Sequence, residues 1–237
     1  MLELNSKQKQ MKKITIYFQW ISTLTIRPLT TIFAGLKVEG TQFLNTSQGP
    51  VIFITNHRGM FDPWLLASSL PFKNLKNLFP FRFATSIKFL NNPLLRPFLL
   101  MYGCFPVAPK SGTIEEVLKP SMDVFNDRKQ SMLFFPEGKV VYPGMKAKAR
   151  PGIAYLARES GWLVIPVGLS GAGKLNPLQF FTFRRKITVR IGQPFFYHEI
   201  AGKDEELIPV AEKMMKRVYK LMDEAPEPVK KPAYTHT

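Results

Sequence analysis

The sequence predicts an α/β fold, a mixed, largely parallel central sheet flanked by helices. Short apolar runs alternate with longer stretches of helical periodicity, the pattern that builds one sheet and lays helices on its faces. Several of these runs stop abruptly at polar, turn-forming residues, as buried strands do where they leave a sheet. The 237 residues can bury one good core, and no long linker or internal repeat divides them.

Helical patterns fall at about 8–34, 62–70, 92–101, 113–127, 152–160 and 204–222, and strand patterns near 36–45, 51–55, 80–84, 104–108, 131–135, 163–168 and 187–192. The chain divides into residues 1–35, an N-terminal amphipathic helical segment; residues 36–222, the main domain; and residues 223–237, an extended tail with Pro226, Pro228 and Pro232.

In the first helical pattern Lys7, Lys9, Lys12 and Lys13 precede an apolar stretch from Ile14 to Ile26. Ile14, Tyr17, Phe18, Ile21 and Leu24 fall near one face, while Gln19, Ser22, Thr23 and Thr25 dilute the other. Arg27-Pro28 then interrupts it. The uncharged run is shorter than the roughly 17–25 residues of a spanning helix. Carrying it through Arg27 would bury a charge at about 2.5–3.5 kcal/mol. The expectation is an amphipathic helix lying in a membrane interface; a helical hairpin broken at Pro28 and a retained signal anchor are the alternatives.

Two later segments interleave large hydrophobes with cations. Phe72 to Phe83 reads either as an interface-seated surface or as core strands with snorkelling lysines. Leu178 to Lys186 repeats the theme and reads as surface insertion. The net charge of +16 and a pI near 10 attract polyanions: anionic lipid headgroups, nucleic acid or acidic carrier proteins. The one cysteine, Cys104, excludes a disulfide framework within the chain, fits a reducing compartment and reads as a buried structural thiol. No Cys/His cluster has metal-ligand spacing, so no metal site is expected. Gly168 to Lys174 has the glycine and lysine positions of a phosphate-binding loop. However, Leu175 replaces the hydroxyl that would hold magnesium, and Asn176-Pro177 disfavours the following helix.

The chemistry-bearing residues lie just beyond strand ends. Val51 to Ile54 runs into Thr55-Asn56-His57-Arg58-Gly59-Met60-Phe61-Asp62-Pro63. A histidine with an aspartate five positions on can form a base and the partner that fixes its tautomer. Met132 to Phe135 ends in Pro136-Glu137-Gly138, Gly161 to Gly168 contains Val164-Ile165-Pro166-Val167, and Ile187 to Pro194 adds a late strand.

In this order the blocks resemble the glycerolipid acyltransferase family, whose type members are the 1-acylglycerol-3-phosphate acyltransferases. That family is recognised by Asn-His-x4-Asp, Phe-Pro-Glu-Gly and Val-Pro-Val blocks; the resemblance spans residues 36 to 222. It implies an O-acyltransferase moving a fatty acyl group from a thioester to the free hydroxyl of a lysophospholipid, foremost 1-acylglycerol-3-phosphate, giving phosphatidate. His57 would be the general base, oriented by Asp62. Asn56, Arg58, Lys110, Pro136, Glu137, Gly138, Lys139 and Arg150 would bind substrate, with oxyanion donors sought among backbone N–H groups near Gly59 or Gly138. No cofactor is implied beyond the donor, acyl-CoA or acyl-carrier protein. The other implied partners are the lysophospholipid and a membrane surface with anionic lipids, with no specific nucleic acid. The implied location is peripheral or monotopic on the cytoplasmic face.

Two departures bear on the acceptor. Pro109 stands where the family carries a phosphate-contacting arginine, leaving Lys110 as the nearest cation. After Gly138, Lys139-Val140 replaces the usual Thr-Arg, with cations returning at Lys146, Lys148 and Arg150 just before a helical pattern. Acylation of another lysolipid or a non-phosphate acceptor is therefore one alternative. A non-catalytic basic module for membranes or nucleic acid is the other.

Overall fold

The computed structural model describes residues 2–46, 50–107, 112–126, 130–142, 145, 147–173 and 186–222. Its sheet has seven strands: β1 (Lys37–Glu39), β2 (Ile52–Thr55), β3 (Phe81–Ser86), β4 (Cys104–Val107), β5 (Ser131–Phe134), β6 (Val164–Ser170) and β7 (Thr188–Ile191), in the order β1-β7-β6-β2-β5-β3-β4. Every pairing is parallel except β6 with β7. The mixed, largely parallel sheet expected from the sequence is therefore present. Every residue of β2 and β6 is buried, which is why these strands read as unbroken apolar runs.

Around the sheet lie α1 (Leu2–Ala34), α2 (Asp62–Ser69), α3 (Phe72–Leu78), α4 (Ile87–Leu90), α5 (Arg96–Met101), α6 (Ile114–Asn126), α7 (Gly152–Ser160) and α8 (Leu207–Leu221). The alternation of β2 splits the core in two. Phe53 joins Leu65, Leu66 and Phe81 on one face, with Phe18 and Trp20 of α1 packed against that cluster. Ile52 and Ile54 join Met132, residues of α7, and Met214 and Met215 of α8 on the other. Cys104 is buried in β4, and burial pushes its thiol up to about 11.

Several expectations change. The strand expected at 36–45 ends at Glu39 and gives way to a 3-10 helix, Thr41–Thr46. Gly40, at φ 76°, makes that turn so tightly against β7 that a Cβ there would lie 1.9 Å from the Ile191 carbonyl oxygen. Phe72 to Leu78 is not a core strand but a short helix that buries Asn74, Leu75 and Leu78 and leaves Phe72, Lys73 and Lys76 exposed. The segment expected to insert at 178–185 lies outside the described residues, as do Lys110, Lys146 and Lys174.

Helix α1 runs unbroken through Arg27-Pro28, which resolves the hairpin alternative. The Arg27 Nη1 donates to the Leu70 carbonyl at 2.7 Å, docking the charge on the end of α2. Its faces are the reverse of an ordinary packed helix. Thr15, Gln19, Thr23 and Thr30 are buried, whereas Tyr17, Ile21 and Leu24 are 68, 59 and 58% exposed. Gln19, on the face opposite the apolar one, donates through Nε2 to the Phe81 and Tyr102 carbonyls at 2.8 and 2.7 Å and accepts the Phe81 N–H at 2.9 Å. Each of those backbone groups would cost about 1–3 kcal/mol if buried without a partner. Among the described residues no helix is long and apolar enough to cross a membrane.

Candidate active site

The site forms because β2 and β5 are neighbours in register. Ile52, Phe53 and Ile54 pair with Met132, Leu133 and Phe134, so the residues after each strand leave the same edge of the sheet side by side. This edge is where open α/β sheets place their ligands. It carries Asn56 to Asp62 from one strand and Phe135 to Gly138 from the other.

Asp62 opens α2 and is fully buried. Its Oδ2 accepts the backbone N–H of Arg58 at 2.5 Å and of Gly59 at 2.7 Å, and lies 2.8 Å from His57 Nδ1. Because the two backbone groups can only donate, Oδ2 is an acceptor here, and the matching tautomer puts the ring hydrogen on Nδ1. Nε2 is then left with its lone pair. The His57 side chain is 19% exposed, and its ring stacks on Phe135 with centroids 4.1 Å apart. This is the arrangement of a base with one oriented, reachable nitrogen.

The backbone of His57 is held as firmly as its ring. Its N–H donates to Glu137 Oε2 at 2.6 Å, and its carbonyl accepts the Val141 N–H at 2.8 Å. The other Glu137 oxygen, Oε1, accepts the Tyr219 hydroxyl at 2.7 Å. Burial, and after it this hydrogen bond, push the Tyr219 phenol up, so it stays a neutral donor. The carboxyl of the Pro-Glu-Gly block thus joins α8 to the loop that bears His57.

Similar contacts hold three residues expected to bind substrate inside the protein. Asn56 is fully buried; its amide donates to the Leu169 carbonyl and accepts the Leu169 N–H, each at 2.8 Å, continuing the β2–β6 pairing with a side chain. Arg58 is buried too, and its Nη1 donates to the Val141 carbonyl at 2.9 Å and the Tyr142 carbonyl at 3.3 Å, tying the loop after β5 in place. Glu137 is buried with both oxygens engaged. All three build the site from inside.

Pro136 is likewise buried and receives the Arg150 N–H at 2.9 Å on its carbonyl. Gly138, Lys139 and Arg150 are exposed and cluster at the tip. Gly138 has φ 64°, and a Cβ there would lie 2.2 Å from Arg150 Nε, so the guanidine group rests directly on the glycine. The Gly59 and Gly138 N–H groups, expected as oxyanion donors, are already spent on Asp62 and on the Phe135 carbonyl. Among the described residues no group of His, Cys, Asp and Glu could hold a metal ion.

A family model described as Acyltransferase matches residues 35–170, more than half of the chain. The chain belongs to the acyltransferase family. Over 148 residues, 61% of its length, it is 28% identical to a chloroplastic 1-acyl-sn-glycerol-3-phosphate acyltransferase of Arabidopsis thaliana. Over a stretch of the same length it is 27% identical to a chloroplastic enzyme of that name from Brassica napus. The matches take in 38 and 40% of those proteins, so the chain spans about two-fifths of the length of the curated relatives it matches. The crystal structure of the 1-acyl-sn-glycerophosphate acyltransferase PlsC from Thermotoga maritima superposes with a TM-score of 0.63 at 17% identity, covering 91% of this chain and 82% of that one; it shares the fold.

Tyr219 lies beyond the segment that the acyltransferase model matches. No sequence block announces it, because its role depends on α8 folding back across 82 positions to meet Glu137. Its removal has a defined expected cost. Tyr219→Phe takes a hydroxyl from a carboxylate and is expected to lower stability by about 1.5–3 kcal/mol. It is also expected to lower kcat about tenfold while the KM for the acyl acceptor holds, because His57 loosens. Steady-state kinetics with a thermal melt check this; a changed acceptor KM at constant kcat would contradict it.

Proposed function

We propose that this chain is an O-acyltransferase that moves a fatty acyl group from a thioester, acyl-CoA or acyl-carrier protein, to the hydroxyl of 1-acylglycerol-3-phosphate, forming phosphatidate. The observation that carries this reading is the 2.8 Å approach of His57 Nδ1 to buried Asp62 Oδ2, with Nε2 directed away from it. Family membership and the substrate in the names of the curated relatives point the same way.

The geometry supports the following step. The acceptor hydroxyl oxygen attacks the thioester carbonyl carbon while Nε2 takes its proton, and Asp62 stabilises the resulting imidazolium. The tetrahedral intermediate collapses, the C–S bond breaks, and the departing thiolate takes the proton back from Nε2. The products are an ester and a free thiol, with no acyl-enzyme needed. General-base catalysis supplies about 10²- to 10⁴-fold, and substrate positioning and charge stabilisation supply the rest. Arg150 and Lys139 are exposed beside Gly138, and we assign them to the acceptor phosphate.

The reversed faces of α1 support a membrane partner. A helix that turns threonines and a glutamine inward and leaves Tyr17, Ile21 and Leu24 outward presents an exposed apolar stripe. Ile87, Phe89 and Phe98 of α4 and α5 are exposed as well, with Lys88 and Arg96 among them, and α5 packs against α1. Hydrophobes edged by cations suit the interface of a bilayer with anionic lipids. We place the protein peripherally on such a surface, on the cytoplasmic face, with which its single reduced thiol accords.

Acyl transfer followed by mass spectrometry of lipid products, with 1-acylglycerol-3-phosphate offered among other lysolipids, tests the reaction. Phosphatidate is the expected product, and His57→Ala is expected to slow its formation by about 10²- to 10⁴-fold. An unchanged rate would remove His57 as the base, and preference for another acceptor would favour the reading prompted by Pro109. Vesicle flotation tests the partner. Ile21→Lys with Leu24→Lys is expected to cut binding to vesicles of neutral and anionic lipid by about tenfold or more, and undiminished binding would show that α1 does not face the bilayer.

A further inference from the structure

We propose that a lysine-rimmed cleft beside α8 holds the nucleotide end of a coenzyme A thioester, the donor of the acyl group. This assignment rests on the acyltransferase reading and adds the donor class and its anchoring site.

The cleft lies between α8 and the loop leading into α7 and has a volume of about 830 Å³. Small-molecule sites usually fall near ~300–1,000 Å³, so it suits a ligand much larger than a single phosphate. Lys213, Lys216 and Lys220 line it from one stripe of α8, and Lys148 faces them from the loop. Lys213 pairs with Glu205 at 2.5 Å, and the Glu212 carboxylate on the wall is held by the Ala149 N–H at 2.8 Å. Lys148, Lys216 and Lys220 remain exposed at the rim beyond those contacts. Their aliphatic stems supply apolar wall for a flat heterocycle, while the ammonium groups are mobile point charges that can gather around several phosphates.

Two further observations choose the ligand. The cleft belongs to the α7–α8 side of the sheet, whereas α1 with its outward apolar stripe packs on the opposite side. A bilayer met by α1 therefore does not explain the lysines, and a soluble polyanion does. Tyr219 is also a wall of the cleft, and its hydroxyl is bonded to Glu137, whose other oxygen holds the His57 N–H. A ligand anchored there sits two hydrogen bonds from the loop of the base, close enough for a flexible arm to bring a thioester to it. The cleft is open to solvent, so its lysines can gather around the several phosphates of a nucleotide lying in it.

Isothermal titration of free coenzyme A into the full-length protein, paired with steady-state kinetics, tests this. Lys216→Ala with Lys220→Ala is the test variant, and Lys73→Ala with Lys76→Ala on α3 removes equal charge elsewhere. The expected result is that coenzyme A binds the parent and the α3 variant alike and binds the α8 variant about tenfold or more weakly. The KM for acyl-CoA should rise in step while the KM for the lysolipid holds. Lysine-dependent binding without acyl transfer to any acceptor would uphold the cleft and remove the enzymatic reading. Equal binding by all three proteins would overturn the proposal. So would a parent that ignores coenzyme A but loses affinity for acyl-carrier protein when these lysines are removed.

Discussion

One oxygen of one buried carboxylate organises the site. Oδ2 of Asp62 receives two backbone N–H groups and faces the ring of His57, so the turn after β2 and the orientation of the imidazole are fixed by the same atom. A polar group buried this deeply is costly unless it is bonded, and three donors gather on Oδ2, while the buried Oδ1 has no partner among the described residues. The loop cannot relax without giving up several of these bonds together. The positions of the His57 ring, of Gly59 and of the start of α2 are therefore coupled.

The sheet explains why this arrangement sits where chemistry is useful. Parallel pairing of β2 with β5 and β6 sends three strand ends to one edge, and side chains there continue the pairing that the backbone ends. Asn56 reaches β6, Arg58 ties down the loop after β5, and Glu137 links that loop to His57 and to α8. Most of the polar residues of the two blocks are therefore bonded within the protein around His57. Lys139 and Arg150 stand exposed beside Gly138.

The fold and the central pair were legible in the sequence because each rests on local information. Strands buried on both faces must be apolar throughout, and a histidine five residues before an aspartate can meet it across one turn. What was hidden depends on contacts distant in sequence. The helical pattern of α1 showed two faces but not which one packs, and the protein turned the polar one inward because Gln19 satisfies backbone groups of Phe81 and Tyr102. The bond from Tyr219 to Glu137 was equally invisible, since the two lie 82 positions apart. Phe72 to Leu78 misled because a helix of seven residues is too short to display its period.

The account stands on His57 carrying its hydrogen on Nδ1 and its lone pair on Nε2. Nitrogen-15 NMR of histidine-labelled protein reads this directly. It should show a pyrrole-type Nδ1 and a pyridine-type Nε2 for His57, with Asp62→Asn erasing that preference. A His57 that is protonated on Nε2 in the neutral ring, or whose tautomer ignores the loss of the Asp62 carboxylate, would contradict it.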